Sequence, residues 1–102
     1  EEARIDWTEP AEAIARRVRA YDPWPVAETQ WAGRQLRVWQ VEPLALPVSG
    51  PPGRVIDATG AGIVVATGAG ALRLKRVQLA GRRAVTAEEF LHAHAIAGAQ
   101  LG

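Results

Sequence analysis

The fold is decided by residues 54–79, which read RVIDATGAGIVVATGAGALRLKRVQL. Three short apolar runs (54–58, 63–66 and 72–79) are separated by two copies of Thr-Gly-Ala-Gly (59–62 and 67–70). Glycine supplies the positive φ that tight hairpins need, so the pattern predicts three strands joined by two hairpin turns. Short strands at regular spacing, without alternating helices, favour a small antiparallel barrel or sandwich.

Two further strands are expected upstream, at residues 28–32 and 35–42, around Gly33-Arg34. Along the second strand the apolar residues change face, from Leu36 and Val38 to Trp39 and Val41. Such a change predicts a bulge or a strand that is covered on both faces. Residues 43–53 are rich in proline and glycine, so they are expected to form a loop.

An amphipathic helix is expected before these strands. Thr8 is the predicted N-cap, Pro10 fits the first turn, and the helix must stop before Pro23. Its apolar face repeats at helical spacing and consists of Ala11, Ile14, Ala15, Val18 and Tyr21. The Asp-Pro-Trp-Pro stretch at 22–25 is expected to be a rigid, extended connector whose Trp24 packs the helix onto the sheet.

A second helix is expected at the other end of the strands. Thr86 and Glu89 are spaced as a capping box, and Gly98 is the expected C-terminal stop. Phe90, Leu91 and His94 are expected to face the core. The predicted fold is therefore a mainly β, small antiparallel barrel with an N-terminal and a C-terminal α-helix.

Length and composition limit the classes of protein to consider. The 102 residues, 48% apolar and 23% charged, suit a single folded domain over residues 1–102. The absence of cysteine excludes disulfides, thiolate metal sites and thiol catalysis, and fits a reducing compartment. No apolar run approaches the roughly 20 residues of a membrane span, so a cytoplasmic chain is expected. The absence of methionine indicates a fragment of a longer protein.

No catalytic, metal or cofactor site is predicted within the chain. His92 and His94 are two residues apart on a helix and point in nearly opposite directions, so they cannot share a metal ion. Ser49 has no base near it in sequence, and Glu42 and Asp57 have no partner at a diagnostic spacing. The glycine clusters lack the lysine of a phosphate-binding loop. The tryptophans suit core packing or, as the alternative, stacking on bases; they are Trp7, Trp24, Trp31 and Trp39.

Positive charge is concentrated in residues 71–86, which carry five cations and no acidic residue, although the whole chain has a net charge of only +1. We call these cations the basic strip; they are Arg73, Lys75, Arg76, Arg82 and Arg83. An extra charged residue interrupts the strand alternation and predicts a bulge that turns Lys75 and Arg76 outward. A line of cations suits the backbone of a polyanion, with salt-dependent affinity and little sequence discrimination. A solvated strand face is the alternative interpretation.

The sequence resembles the C-terminal domain of methionyl-tRNA formyltransferases over nearly its whole length. The resemblance is carried by an ordered set of short matches: Ile5-Asp6-Trp7, Ile14, 16–20, 22–27, Pro52-Gly53, 62–68, 79–83, Glu89-Phe90-Leu91, Gly98 and Leu101. Residues 81–83, Gly-Arg-Arg, fall where this family commonly has Gly-Lys-Lys or Gly-Lys-Arg. Val26 departs from the family, which usually has glycine there, and is expected to alter only the local turn.

The resemblance implies an OB-like barrel joined, in a two-domain enzyme, to an N-terminal Rossmann-type catalytic domain. That missing domain would transfer a formyl group from 10-formyltetrahydrofolate, its co-substrate, to the methionine of initiator tRNA. This chain would act as a monomeric, non-catalytic domain that has no cofactor or membrane partner, and its basic strip would contact the tRNA backbone. Two alternatives remain: the equivalent barrel of an enzyme that formylates a sugar amine, and a purely structural brace for the catalytic domain.

Overall fold

The computed structural model describes residues 3–47 and 50–102. Its elements, in chain order, are helix α1 (Ala11–Ala20), strands β1 (Ala27–Trp31), β2 (Arg34–Leu44), β3 (Val55–Thr59), β4 (Gly62–Ala66), β5 (Ala71–Leu79) and β6 (Val85–Thr86), and helix α2 (Ala87–Ala93). The prediction of a mainly β domain with a helix before and after the main strands is confirmed. Neither described helix is long and apolar enough to cross a membrane.

The strands form one antiparallel sheet in the order β1-β2-β5-β4-β3, and β6 pairs with β5. Both Thr-Gly-Ala-Gly segments are the predicted connections, the first between β3 and β4 and the second between β4 and β5. Among the described strands, β1 and β3 do not pair with each other. The sheet is therefore barrel-like, but strand pairing does not close it.

The pairing of β2 with β5 is irregular near its middle. The Val38–Val77 pair is followed by register shifts on both sides of Gln40, which leave Trp39 and Lys75 without opposite residues. The predicted irregularities in these two strands are therefore confirmed. Because each shift changes the face on which later side chains lie, the apolar residues on either side still reach the core.

The core lies between the concave face of the sheet and the two helices. The buried face of α1 includes Ile14 and Val18, as the helical periodicity predicts, and α2 adds Phe90. The largest fully buried strand residues are aliphatic except for Thr29 on β1; the aliphatic ones are Leu36, Val38, Val55, Ile63, Val65, Leu72, Leu74 and Val77. Removing this apolar surface from water provides most of the driving force for the fold.

The N-terminal segment covers the outer edge of β1. Ile5 N donates to Glu28 O at 2.8 Å, and Glu28 N donates to Ala3 O at 2.8 Å. Farther along the same strand, Gly102 N donates to Gln30 O at 3.0 Å. Backbone groups that an edge strand would expose are therefore paired within the chain.

The C-terminal segment covers the edge of β3. Val55 N donates to Ala99 O at 2.8 Å, and Gly98 N donates back to Val55 O at 3.0 Å. Leu101 N donates to Gly53 O at 2.8 Å just before the strand. The C-terminal segment therefore contacts both edge strands of the sheet, because Gly102, its last residue, bonds to β1.

The predicted N-cap of α1 is wrong. Pro10 occupies the N-cap position without a side-chain cap, and the Thr8 hydroxyl donates instead to Asp6 Oδ1 at 2.6 Å. The backbone N–H of Ala11 is satisfied by Ala69 O at 2.9 Å, in the turn between β4 and β5. A tertiary contact therefore replaces the local cap.

Helix α2 begins as predicted and ends earlier. Thr86 Oγ1 accepts from Glu89 N, and Glu89 Oε1 accepts from Thr86 N, both at 3.1 Å, so the capping box is confirmed. The helix stops at Ala93 rather than near Gly98, because the following residues extend toward β3.

Trp24 does not pack the helix onto the sheet, so that prediction is wrong. The side chain is 80% exposed. Val26 N donates to Tyr21 O at 2.9 Å and closes residues 21–26 into a tight turn that carries the indole away from the sheet. Val26 itself has φ of 71°, a left-handed conformation in which glycine is favoured.

Candidate nucleic-acid interface

The basic strip follows the central strand of the sheet. Arg73, Lys75 and Arg76 lie on β5, and Arg82 and Arg83 lie in the turn that connects β5 to β6. At about 3.3 Å per residue, the strip extends over roughly 20 Å or more. The five cations differ in their exposure and in the ion pairs and hydrogen bonds that they form with neighbouring elements.

Arg73 is paired with an acidic residue on the adjacent strand. Its register partner on β2 is Glu42, and Arg73 Nη1 donates to Glu42 Oε1 at 2.8 Å. The arginine side chain is 30% exposed, and its Nε is buried without a hydrogen-bond partner among the described residues. This compensated charge is the least available of the five for a phosphate.

Lys75 and Arg76 lie at the bulge of β5. Lys75 is exposed, and it forms no ion pair with any residue that the structure describes. Arg76 is half-buried, and its Nη2 reaches Ala84 O at 3.5 Å, which ties the guanidinium to the segment before β6. Both side chains were predicted to point outward. Lys75 does so fully and Arg76 only in part.

The turn that carries Arg82 is held in place by its backbone. Gly81 has φ of 79°, Arg82 N donates to Leu79 O at 3.0 Å, and Gln78 Nε2 donates to Arg82 O at 2.7 Å. Gln78 is itself fixed by Trp39, whose Nε1 donates to Gln78 Oε1 at 2.9 Å. The side chain of Arg82 is therefore presented to solvent from an ordered base.

Arg83 forms only a loose ion pair. Its Nη2 lies 3.9 Å from Glu89 Oε2, and both side chains are largely exposed. Exposed ion pairs of this kind are weak and are screened by salt, so an incoming phosphate can compete with Glu89 for Arg83. The hydrogen bond from Thr86 N holds the pKa of the Glu89 carboxyl below its ordinary value of 4.5, and Arg83 and Arg76 lower it further.

A cavity of about 280 Å³ opens beside the turn, between β5, β6 and α2. Arg82 and Arg83 line it together with Leu79, Val85, Phe90 and His94. The sequence pattern predicted a core position for Phe90 and His94, without a link to the cations of the basic strip. Their spacing of four residues is a signal of that link, because Phe90 on α2 and His94 directly after the helix then lie on the same side, beside the basic turn.

The four tryptophans have different environments. Trp7 is buried and donates from Nε1 to Thr29 Oγ1 at 3.0 Å, so its predicted core role is confirmed. Trp31 is partly buried against α2, and Arg34 lies 5.0 Å from its ring centroid. Trp39 supports the turn after β5 through its hydrogen bond to Gln78. Of the four, only Trp24 exposes most of its side chain to solvent.

The histidines and the serine considered as metal-binding or catalytic residues do not form a site among the described residues. Across residues 3–47 and 50–102, no group of three His, Asp or Glu side chains is placed to hold a metal ion. His92 is exposed on α2, whereas His94 packs on Phe90 with ring centroids 4.5 Å apart. Ser49 lies outside the described residues.

A family model described as "Formyl transferase, C-terminal domain" matches residues 1–95. Among curated proteins, the chain is 49% identical over 94% of its length to a methionyl-tRNA formyltransferase of Nitrosococcus oceani. It is 48% identical over 99% of its length to the protein of the same name from Methylococcus capsulatus. The chain spans only 30% and 32% of the lengths of these two relatives.

Solved structures share the fold at lower sequence identity. A crystal structure of HypX from Aquifex aeolicus in complex with tetrahydrofolic acid superposes with a TM-score of 0.73 at 21% identity. The match covers 87% of this chain and 16% of that one. A variant of the same protein gives a TM-score of 0.74 at 20% identity, covering 89% of this chain and 17% of the variant.

Proposed function

The chain belongs to the formyl transferase C-terminal domain family, and from that premise we propose that it is the non-catalytic, tRNA-binding domain of a methionyl-tRNA formyltransferase. The observation that carries the proposal is 48–49% identity to enzymes of that name over nearly the whole chain. We assign the formyl transfer from 10-formyltetrahydrofolate to a separate N-terminal catalytic domain of the same protein. This chain is then a single domain, residues 1–102, of a two-domain enzyme.

The proposed role of the domain is to hold initiator tRNA through its phosphate backbone. Lys75 and Arg82 are exposed, and the loose pair of Arg83 with Glu89 leaves that guanidinium open to exchange. Arg76 adds a fourth charge at the same end of β5, near Glu89. Arg73 contributes less, because Glu42 neutralises it. Flexible cations of this kind bind phosphates without reading bases, which suits recognition of a tRNA by its shape.

The salt dependence of tRNA binding tests this mechanism. With about four phosphates contacted, affinity for initiator tRNA should fall roughly a hundredfold between about 50 and 200 mM salt. Replacing both arginines of the turn (Arg82→Ala with Arg83→Ala) should lower the slope of log Kd against log salt by about two. Fluorescence anisotropy with labelled tRNA measures both quantities.

A matched control removes two other exposed arginines, from α1 (Arg16→Ala with Arg19→Ala). Because the two double variants have the same net charge, the control separates local contacts from the overall field of the protein. Equal losses in both would overturn the assignment to the turn. Affinity that does not change with salt would overturn the backbone mechanism, and no tRNA binding at all would favour the brace.

A further inference from the structure

The cavity beside the basic turn has a chemical character that backbone binding does not use. Leu79 and Phe90 are buried and form its apolar part, while Arg82 and Arg83 stand at its rim. Its volume of about 280 Å³ lies just below the roughly 300–1,000 Å³ of common small-molecule pockets. It therefore suits one planar ring rather than an extended ligand.

The aromatic groups at the cavity hold one another in fixed positions. The rings of His94 and Phe90 are 4.5 Å apart and inclined by 32°. Trp31 meets both edge-on, with centroid distances of 5.5 Å to Phe90 and 5.4 Å to His94. Because Trp31 comes from β1, the imidazole is supported by a different element from its own and keeps its orientation without a ligand.

We propose that this cavity binds one unpaired nucleotide of RNA, with the base against His94 and its flanking phosphates on Arg82 and Arg83. The proposal rests on the proposed function and deepens it, because it states that the tRNA region at this surface is single-stranded. Bases of unpaired RNA stack on aromatic and histidine rings, whereas bases inside a stem are covered by their neighbours. A stem would meet the same arginines but leave the cavity empty.

The acidic residue at the rim favours one placement of the phosphates. Glu89 keeps its negative charge, because its carboxylate accepts from Thr86 N and lies beside Arg83. A phosphate close to Glu89 would be repelled. One flanking phosphate is therefore directed to Arg82, which forms no ion pair with any described residue, and the other to Arg83 on the side away from Glu89.

The chain contains two histidines, which makes the test direct. His94, directly after α2, lines the cavity, whereas His92 is exposed on α2 and does not line it. Titration of the chain with single-stranded tetra-adenylate should shift the imidazole proton resonances of His94 in NMR spectra and leave those of His92 nearly unchanged. A blunt RNA duplex should shift neither, although it should still bind by charge.

Variants extend the test to affinity. His94→Ala should weaken binding of tetra-adenylate about fivefold or more, the lower range for losing a stacking partner, and should leave binding of the duplex unchanged. His94→Phe keeps a planar ring and should restore the affinity. His92→Ala is the matched control and should change neither.

Two outcomes separate this inference from the proposed function. Salt-dependent tRNA binding without any response of His94 to tetra-adenylate would overturn the nucleotide site and leave the proposed function intact. A response of His94 to tetra-adenylate in a chain that does not bind tRNA would support the nucleotide site and overturn the proposed function. An equal response of both histidines would overturn the site, because it would indicate a general charge effect.

Discussion

The indole of Trp7 and the hydroxyl of Thr29 form a polar pair inside an otherwise apolar core. Both side chains are almost fully buried, at 4% and 0% exposure, and the Nε1 to Oγ1 distance is 3.0 Å. A buried donor that loses its acceptor is left with the full cost of its desolvation. At the scale of single residues, polar partners inside the core are therefore more sensitive to change than those at the surface.

We expect Thr29→Val to destabilise the chain by about 1–3 kcal/mol, because valine keeps the shape of threonine but leaves Trp7 Nε1 without an acceptor. The free energy of unfolding from urea denaturation measures the loss. Thr59→Val is the control, since Thr59 is exposed at the end of β3 and its hydroxyl accepts, among the described residues, only from Ala61 N. Equal losses in both variants would contradict the role assigned to the buried pair.

Gly68, in the connection between β4 and β5, lies close to the residues just before α1. Its N–H donates to Glu9 O at 3.1 Å, and a Cβ there would overlap the carbonyl oxygen of Thr8. Gly68→Ala should therefore cost about 1–3 kcal/mol of stability, as other overpacked sites do. Gly60→Ala should stay within about 0.5 kcal/mol, because no atom of the described residues, apart from its chain neighbours, lies within 4 Å of the added methyl group. Urea denaturation compares the two, and a neutral Gly68→Ala would contradict the close approach.

At the scale of elements, helix boundaries set by nearby residues could be predicted from the sequence, and those set by tertiary contacts could not. The start of α2 could be predicted because Thr86 and Glu89 satisfy each other within four residues. Its end could not, since hydrogen bonds from the later residues to Val55 on β3 compete with the helix. The prediction that Thr8 caps α1 was wrong for the same reason, because Ala11 N at the start of α1 donates to Ala69 O in the β4–β5 turn. At position 26 the resemblance led us to expect a change only in the local turn, and Val26 there has φ of 71°, a conformation that favours glycine.

The capping box should make the stability of α2 depend on pH. The pKa of Glu89 is lowered in the folded chain, mainly by the Thr86 N–H. Its contribution to stability is therefore complete above the ordinary value of 4.5 and is lost as the pH falls through the lower folded pKa. Glu89→Gln should be less stable than the parent at neutral pH, and the difference should shrink as the solution is acidified.

Thermal unfolding followed by circular dichroism at several pH values measures this difference. Glu88→Gln is the neighbouring control, because the Glu88 carboxylate is exposed and accepts no hydrogen bond from a described residue. Thr86→Ala should cost about 0.5–2 kcal/mol, as other lost N-caps do. A difference between Glu89→Gln and the parent that stays constant from neutral to acidic pH would contradict the capping role.

At the scale of the molecule, the strand register determines which charged side chains lie next to each other. The cations of the basic strip are close in sequence, so their place on one strand and the turn after it could be predicted from the sequence pattern alone. The neutralising effect of Glu42 could not, because it lies 31 residues from Arg73 and meets it only through the β2–β5 register. The cavity could not be predicted from charge alone, since its walls come from β5, β6 and α2, whose packing against one another depends on the fold.

Removing the carboxylate of Glu42 should strengthen tRNA binding. Glu42→Gln would release Arg73 and should increase the salt slope by about one, because one more phosphate can be neutralised. Glu12→Gln on the exposed face of α1 is the control, since it changes the net charge by the same amount. Fluorescence anisotropy over a range of salt concentrations compares the two variants. Equal effects would show that only the overall charge matters.

The two terminal segments have a consequence for the behaviour of this chain in solution. Each supplies backbone hydrogen bonds to an edge strand, β1 or β3, that another copy of the protein could supply instead. Loss of residues 96–102 by proteolysis would uncover β3 and permit strand exchange between molecules. Such a clipped form should elute as mixed oligomers and bind dyes that detect amyloid, whereas the intact chain should not. Resistance to self-assembly would then depend on the terminal segments rather than on the composition of the strands.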